Sequence, residues 1–303
     1  DRLAKDYVGT MRNFGARPPD AANPFIDRPQ DWVKSAIDPT LEPLMEFEYY
    51  ELADKTGRQY VAVRPAQTLL IRDGHTRYLA VDAGRNFDAF TVACAHPEEQ
   101  EDGSVVTTYD WMIRILTRKA GQEVYFECIY ELIGELTKVM KIARIEFDQW
   151  QSTHLIQRIR NDYGLSAEET SMKPEHFLRF LRDSYSGKVR MLPALEEDSV
   201  LDAPYKSAQG ATIYELLHLE RDPKNDKVYN PGKGKVKGHH SDDCARVVMH
   251  VHRLCQDQGY TENQDDNSKR AKRKRAEVGM AQWAAEKGGG IFRMPKTPGG
   301  RGW

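Results

Sequence analysis

One hydrophobic run ends in an acid and turns straight back on itself. Arg77-Tyr78-Leu79-Ala80-Val81-Asp82-Ala83-Gly84 has the composition of a β-strand, and the residues from Arg85 to Cys94 resume at once as a second strand. A turn assisted by Gly84 makes the pair antiparallel, and every other element has to be arranged around it. A carboxylate at a strand end, here Asp82, can face a ligand while the strand holds its backbone still. The same residue also has a plain use, because aspartate hydrogen-bonds the backbone of turns.

Downstream of this hairpin, Gly103 permits another turn and Ser104 to Arg114 reads as a third strand. Val124, Cys128, Ile129, Leu132, Ile133, Leu136, Val139 and Met140 recur at helical spacing and predict an amphipathic helix over Gln122 to Met140. Ile142 to Asp148 is then a strand that a preceding helix brings in parallel to the first, and it too ends in an acid. A helix capped by Ser152 or Thr153 and stopped by Gly164 follows, then a helix around Phe177, Phe180 and Leu181, a short strand from Lys188 to Pro193, and a segment Tyr214 to Leu219 that leans to helix. Asp222 to Lys237 is a loop or ribbon. A last helix starts near Asp243, with Cys244, Val247, Val248, Val251, Leu254 and Cys255 as its apolar face. The fold class expected is α/β, a mixed sheet of three antiparallel strands plus parallel ones, flanked by helices.

With 303 residues, 40% of them hydrophobic and 30% charged, the chain can bury one good core and carry segments outside it. Residues 1–67, rich in proline up to Pro43, read as a connector with a short helix at Trp32 to Ile37 and an edge hairpin within Glu46 to Val63; the core begins near Thr68. Residues 68–259 form the main domain, and residues 260–303 a basic, glycine-rich tail without a core of its own. No window approaches the ~18 apolar residues of a membrane span, and no signal-peptide pattern opens the chain, so a soluble intracellular protein without membrane contact is expected. The four cysteines, Cys94, Cys128, Cys244 and Cys255, lie in apolar patterns without a Cys-x-x-Cys pair and read as reduced, buried thiols.

The net charge of −2 does not speak for or against nucleic acid, but its distribution does. Lys224, Lys227, Lys233, Lys235 and Lys237 could track phosphates with Tyr229 stacking, or form a solvated loop. Six of the seven residues from Lys269 to Arg275 are basic and could bind DNA or an acidic protein surface.

Asp82, Asp148 and the pair Asp242-Asp243 come from three distant stretches that one sheet and one helix can bring together. Each has a bland role open to it: a turn for Asp82, a helix cap for Asp148, a cap and dipole partner for Asp242 or Asp243. Together they form a cluster that is costly unless a cation neutralises it, and hard divalent cations prefer oxygen ligands. Two such ions, about 3.5–4 Å apart, suit phosphodiester hydrolysis without a covalent nucleophile. Asp88, Glu146 and His240 are candidates for supporting positions; His239 and His240 could equally be solvated, and Glu146 could pair with Arg144.

The stretches Leu79-Ala80-Val81-Asp82-Ala83-Gly84, Ile145-Glu146-Phe147-Asp148-Gln149-Trp150-Gln151-Ser152 and Ser241-Asp242-Asp243-Cys244-Ala245 resemble the three acidic motifs in the nuclease domain of tailed-phage terminase large subunits. Phe147 to Ser152 is the most specific of them. The similarity runs from about Tyr78 to Cys255, and the proline-rich start resembles the region leading out of the motor domain. The resemblance implies an RNase H-like fold and an endonuclease that uses two Mg2+ or Mn2+ ions to cut concatemeric double-stranded DNA during genome packaging. Asp82 matches the first metal ligand, Asp148 the second, and Asp243 or Asp242 the third. The family often has one acid after lysine or histidine at the third motif, whereas two acids stand here. A portal protein and a small terminase subunit are the implied partners, and the implied place is the host cytoplasm at the procapsid portal. No Gly-x-x-x-x-Gly-Lys-Ser/Thr occurs, so ATP hydrolysis is not expected, and the chain, starting at Asp1, reads as the nuclease half of a larger subunit. Two other readings stay open: another RNase H-like nuclease such as a junction resolvase, and a DNA- or portal-binding module that keeps the fold without the chemistry.

Overall fold

Three consecutive strands, β3 (Thr76–Ala83), β4 (Phe90–Glu99) and β5 (Val105–Ile115), pair antiparallel and form the middle of a six-stranded sheet. The structure is a computed structural model and describes residues 23–67, 70–83, 89–116, 123–148, 153–195, 207–230 and 242–257, all within one unit, Asp1–Asp257. Gly103, at φ +78°, makes the β4–β5 turn in a conformation that suits glycine.

The chain leaves β5 and returns through α2 (Phe126–Val139) to β7 (Lys141–Phe147), which lies parallel to β3 from Thr76↔Lys141 to Val81↔Phe147. The helical crossover is what a parallel return requires. After α3 (Thr153–Tyr163), ended by Gly164 at φ +67°, strand β8 (Ser166–Glu169) adds in parallel to β7. On the opposite edge, β9 (Val189–Arg190) follows α4 (Pro174–Tyr185) and pairs parallel with β5. The order β8-β7-β3-β4-β5-β9, three antiparallel strands with parallel ones outside, is the mixed sheet flanked by helices that the sequence predicts.

Alternation along the strands sorts the two faces. Leu79, Val81, Val92, Cys94, Trp111 and Ile113 join α2 and α3 in one core, the back layer. Tyr78, Ala80, Ala93, Ala95, Tyr109 and Met112 join the front layer, made of α1 (Pro29–Ala36), α4, α5 (Ala208–His218) and α6 (residues 243–257). Asp82 on β3, and Glu146 and Asp148 along β7, share the parity of the front face. All four cysteines are buried and unpaired, as read from the sequence.

Several details differ from the sequence reading. The α2 pattern starts at Phe126, because Glu123–Val124 forms a strand, β6, parallel to β2 (Gln59–Pro65); β2 pairs in turn with β1 (Phe47–Ala53). Strand β8 has no apolar alternation to announce it and is held by pairing with β7 and by the buried Ala167. The core also starts well before Thr68: Phe25, Ile26, Trp32, Val33, Ala36 and Ile37 are all buried in the front layer. Trp32 is fully buried and its Nε1 donates to Ser184 Oγ of α4 at 2.9 Å. Trp32→Phe is expected to cost about 1–2 kcal/mol through lost volume and the lost hydrogen bond to Ser184, read as a lower urea midpoint with unchanged slope. The segment Tyr214 to Leu219 belongs to α5, whose start is capped by Ser207 Oγ, the acceptor from Gly210 N–H at 2.9 Å. Short strands β10 (Glu220–Arg221) and β11 (Val228–Tyr229) close the described part of the lysine-rich ribbon.

Candidate functional site

Pairing in the sheet sets Asp82, Thr91 and Arg114 side by side across β3, β4 and β5. Cross-strand partners point to the same face, here the front face under α6. Asp148 follows the last residue of β7, and its N–H donates to Val81 O at 2.9 Å, which seats it beside the end of β3. Strand pairing therefore fixes where the Asp148 backbone stands.

The third acid arrives on α6. Asp242 is the residue before the helix: its carbonyl accepts from Arg246 N–H at 2.9 Å, and its Oδ2 accepts from Arg246 Nε at 2.6 Å. Asp243 turns towards the sheet instead. Its Oδ2 accepts from Ala89 N–H at 3.0 Å and its carbonyl from Thr91 Oγ1 at 3.2 Å. Both acids are almost fully buried, at 1% and 5% exposure. Glu215 of α5, also buried, accepts from Ala245 N–H at 3.0 Å and so satisfies one of the free donors of the first turn of α6.

The charges of these groups act on one another. Burial, then the charge of Asp243 and then that of Asp148, push the Asp82 carboxyl up to about 8, with Arg246 pulling against them. Burial would lower the Arg246 guanidinium, yet Asp242 first and then Asp148 and Asp82 hold it above its usual range. Arg246 is thus a cation set among four carboxylates. Arg114 adds positive charge on the same face: it is near enough to Cys244 to pull that thiol down against burial, while its Nε and Nη1 are buried without a hydrogen-bond partner.

Glu146, fully buried two residues before Asp148, ties this end of the sheet to α6. His250 Nε2 donates to its Oε2 at 2.7 Å, Arg253 Nη2 pairs with the same oxygen, and Arg144 Nη2 lies 2.7 Å from Oε1. Burial pushes this carboxyl up, but the His250 hydrogen bond and the Arg253 and Arg144 charges outweigh burial and hold it below its ordinary range. Farther along α6, Tyr109 Oη donates to Val248 O at 2.7 Å, and His252 Nδ1 meets Thr107 Oγ1 at 2.9 Å. Helix α6 is therefore fixed to β4, β5 and β7 along its length.

Of the residues singled out in the sequence, Asp82, Asp148, Asp242 and Asp243 come together, and Glu146 stands behind them. Lys224 and Lys227 are exposed in the β10–β11 turn, where their backbone N–H groups donate to Asp222 and Asn225. Asp88, His239, His240, Lys233, Lys235 and Lys237 lie outside the described residues. Sequence reading missed Arg246, Thr91, Glu215, His250 and Arg253. Arg246, four residues after Asp242 on a helix, carried a readable signal; the others depend on register and packing.

The donor set suits a hard divalent cation, since carboxylate oxygens at high mutual charge are what such ions bind. Among the described residues, however, no three His, Cys, Asp or Glu side chains are drawn together tightly enough to form a finished cage. Among the described residues no helix is long and apolar enough to cross a membrane.

No family model matches the chain, and no curated protein sequence matches it. Solved structures do. A large terminase of the thermophilic phage D6E matches at 12% identity and a TM-score of 0.47, over 77% of this chain and 46% of its own. The large terminase nuclease of the thermophilic phage G20c, solved with bound magnesium, matches at 11% identity and 0.45, over 77% and 98%. The large terminase of bacteriophage HK97 matches at 15% identity and 0.41, over 61% and 40%. This chain thus spans less than half the length of the D6E and HK97 proteins. The likeness is one of fold, and these structures come from the family that the three acidic motifs resemble.

Proposed function

We propose that this chain is a metal-dependent endonuclease of the large-terminase kind, which hydrolyses the phosphodiester backbone of double-stranded DNA. One observation carries the reading: three carboxylates from separate stretches, Asp82 at the end of β3, Asp148 seated beside it through Val81 O, and Asp243 held from the sheet side by Ala89 N–H and Thr91 Oγ1, are gathered at one end of the front face. Such an arrangement destabilises the fold unless a cation serves it.

Asp82, Asp148 and Asp243 would hold Mg2+ or Mn2+, two ions in the full reaction. The chemistry supplied by those ions is Lewis acidity towards a phosphodiester and a water, together with neutralisation of the acids. The chain contributes position. Strands β3 and β7 fix Asp82 and Asp148, while Ala89 N–H and Thr91 Oγ1 fix Asp243 from the sheet side. Asp243 is the better third ligand, because Asp242 is engaged by Arg246. A covalent route has no support among the buried thiols: burial pushes Cys94, Cys244 and Cys255 well above the ordinary thiol range, so none is a thiolate nucleophile at neutral pH.

The wider role follows the motif resemblance: cutting concatemeric viral DNA during packaging, in the host cytoplasm at a procapsid portal, with the portal protein and a small terminase subunit as partners. Lys224 and Lys227, with Lys233, Lys235 and Lys237, are the proposed contacts to the DNA backbone. Calorimetric titration with Mn2+ tests the site. Uptake by the wild type that is lost in Asp148→Asn supports it, and equal uptake by both, or none by either, rejects it.

A further inference from the structure

Arg246 already does in the acid cluster what a cation would do. Its Nε is 2.6 Å from Asp242 Oδ2, on a carboxylate only 1% exposed. The guanidinium lies 5.7 Å from the Phe177 ring centroid, over an aromatic face that favours a cation. Its side chain keeps 28% of its exposure, so it is not locked in on every side. Asp82 and Asp148 face it from β3 and from the end of β7, and Asp243 is its neighbour on α6. Arginine stays charged at any physiological pH and cannot relieve the cluster by changing protonation.

A fixed positive charge beside the acids has two consequences. It stabilises the metal-free fold, because four carboxylates in one partly buried place repel one another. It also lowers the gain available to any cation that arrives later, because part of the acid charge is already offset. By thermodynamic linkage, whatever Arg246 contributes to the empty site is taken from the affinity of the filled one.

We propose that Arg246 is a built-in counter-ion of this site: it engages the Asp242 carboxylate, leaves Asp243 as the third ligand, and competes with the divalent cation for the same negative charge. Arg246 is in these terms a positioning residue. It explains why two acids stand together at the third motif, since one is the partner of the arginine and the other faces the sheet. It also gives the protein a folded state that does not depend on metal being present. The proposal rests on the metal-site reading above.

The test uses the full chain, with Mn2+ alone as the probe. In Arg246→Gln, calorimetry is expected to show Mn2+ binding about tenfold tighter than wild type, while the urea midpoint in a chelator falls. Arg246→Lys, which keeps the charge without the planar fork, is expected to lie between them on both readouts. A merely structural arginine would lower stability and weaken Mn2+ binding together, so unchanged or weaker affinity in a folded variant overturns the proposal. Should Arg246→Gln fail to fold, the lysine variant decides by the same sign. Should the wild type take up no Mn2+, the metal reading fails, and the counter-ion role is judged by a double-mutant cycle without metal. A smaller cost of Arg246→Gln in an Asp82→Asn background supports it, and an equal cost overturns it.

Discussion

Replacing Asp82 by asparagine is expected to lower DNA cleavage by about 10³-fold or more and, in the same protein, to raise stability in the absence of metal. The two effects have one cause. Asp82 sits partly buried among Asp243, Asp148 and Asp242, and its carboxyl is pushed up to about 8, first by burial and then by those charges. In the unfolded chain the same group ionises near the ordinary ~3.9. Below about pH 4 both states carry the proton and the group has no effect on stability. Between about 4 and 8 the folded protein keeps a proton that the unfolded chain releases, so metal-free stability falls as pH rises, and it levels off above 8. Asparagine carries no such charge. The variant is expected to be more stable than wild type by roughly 1–3 kcal/mol at pH 8 in a chelator, allowing for partial exposure and relaxation, and equal to it near pH 4. Urea midpoints across that range measure the difference. A variant that loses cleavage by unfolding would show a lower midpoint instead.

Glu146→Ala is expected to cost about 3–5 kcal/mol, because it removes a fully buried carboxylate shared by two half-buried arginines and the buried His250. Arg253 and Arg144 both pair with Glu146, and His250 donates to it. Arg253 also reaches Asp257 at 3.2 Å, and Arg144 reaches Glu168 at 2.7 Å, which places the expected cost towards the lower end. The damage should be local in character. Glu146 ties β7 to α6, and each of those elements ends or begins with an acid of the site. Amide exchange along residues 243–257 should therefore accelerate more than exchange in α2, which packs on the other face. Uniform acceleration would mean that Glu146 supports the whole core and not the α6 contact.

The sequence made the strands and most helices legible because burial on two faces leaves a plain pattern. Leu79 and Val81 alternate with Tyr78 and Ala80, and the two sets go to opposite cores. The acids were legible only as an ordered set, since Asp82, Asp148 and Asp243 each suit a turn or a cap taken singly. What could not be read was whatever depends on pairing at a distance. Thr91 becomes a partner of Asp243 through the β3–β4 register, and Glu215 reaches the first turn of α6 from another helix. Strand β8 has four residues and a polar surface, so neither propensity nor periodicity announces it. The proline-rich start misled in another way. Its prolines suggested an extended connector, while Phe25, Ile26 and Trp32 supply large side chains to the front core.

The most direct measurement of the central claim is the conversion of supercoiled plasmid to nicked and linear forms in Mn2+ or Mg2+, comparing the wild type with an Asp82→Asn, Asp148→Asn double variant shown to be folded. The three-carboxylate site predicts cleavage by the wild type only when the divalent ion is present, and none by the double variant. Equal cleavage by the two proteins would contradict it.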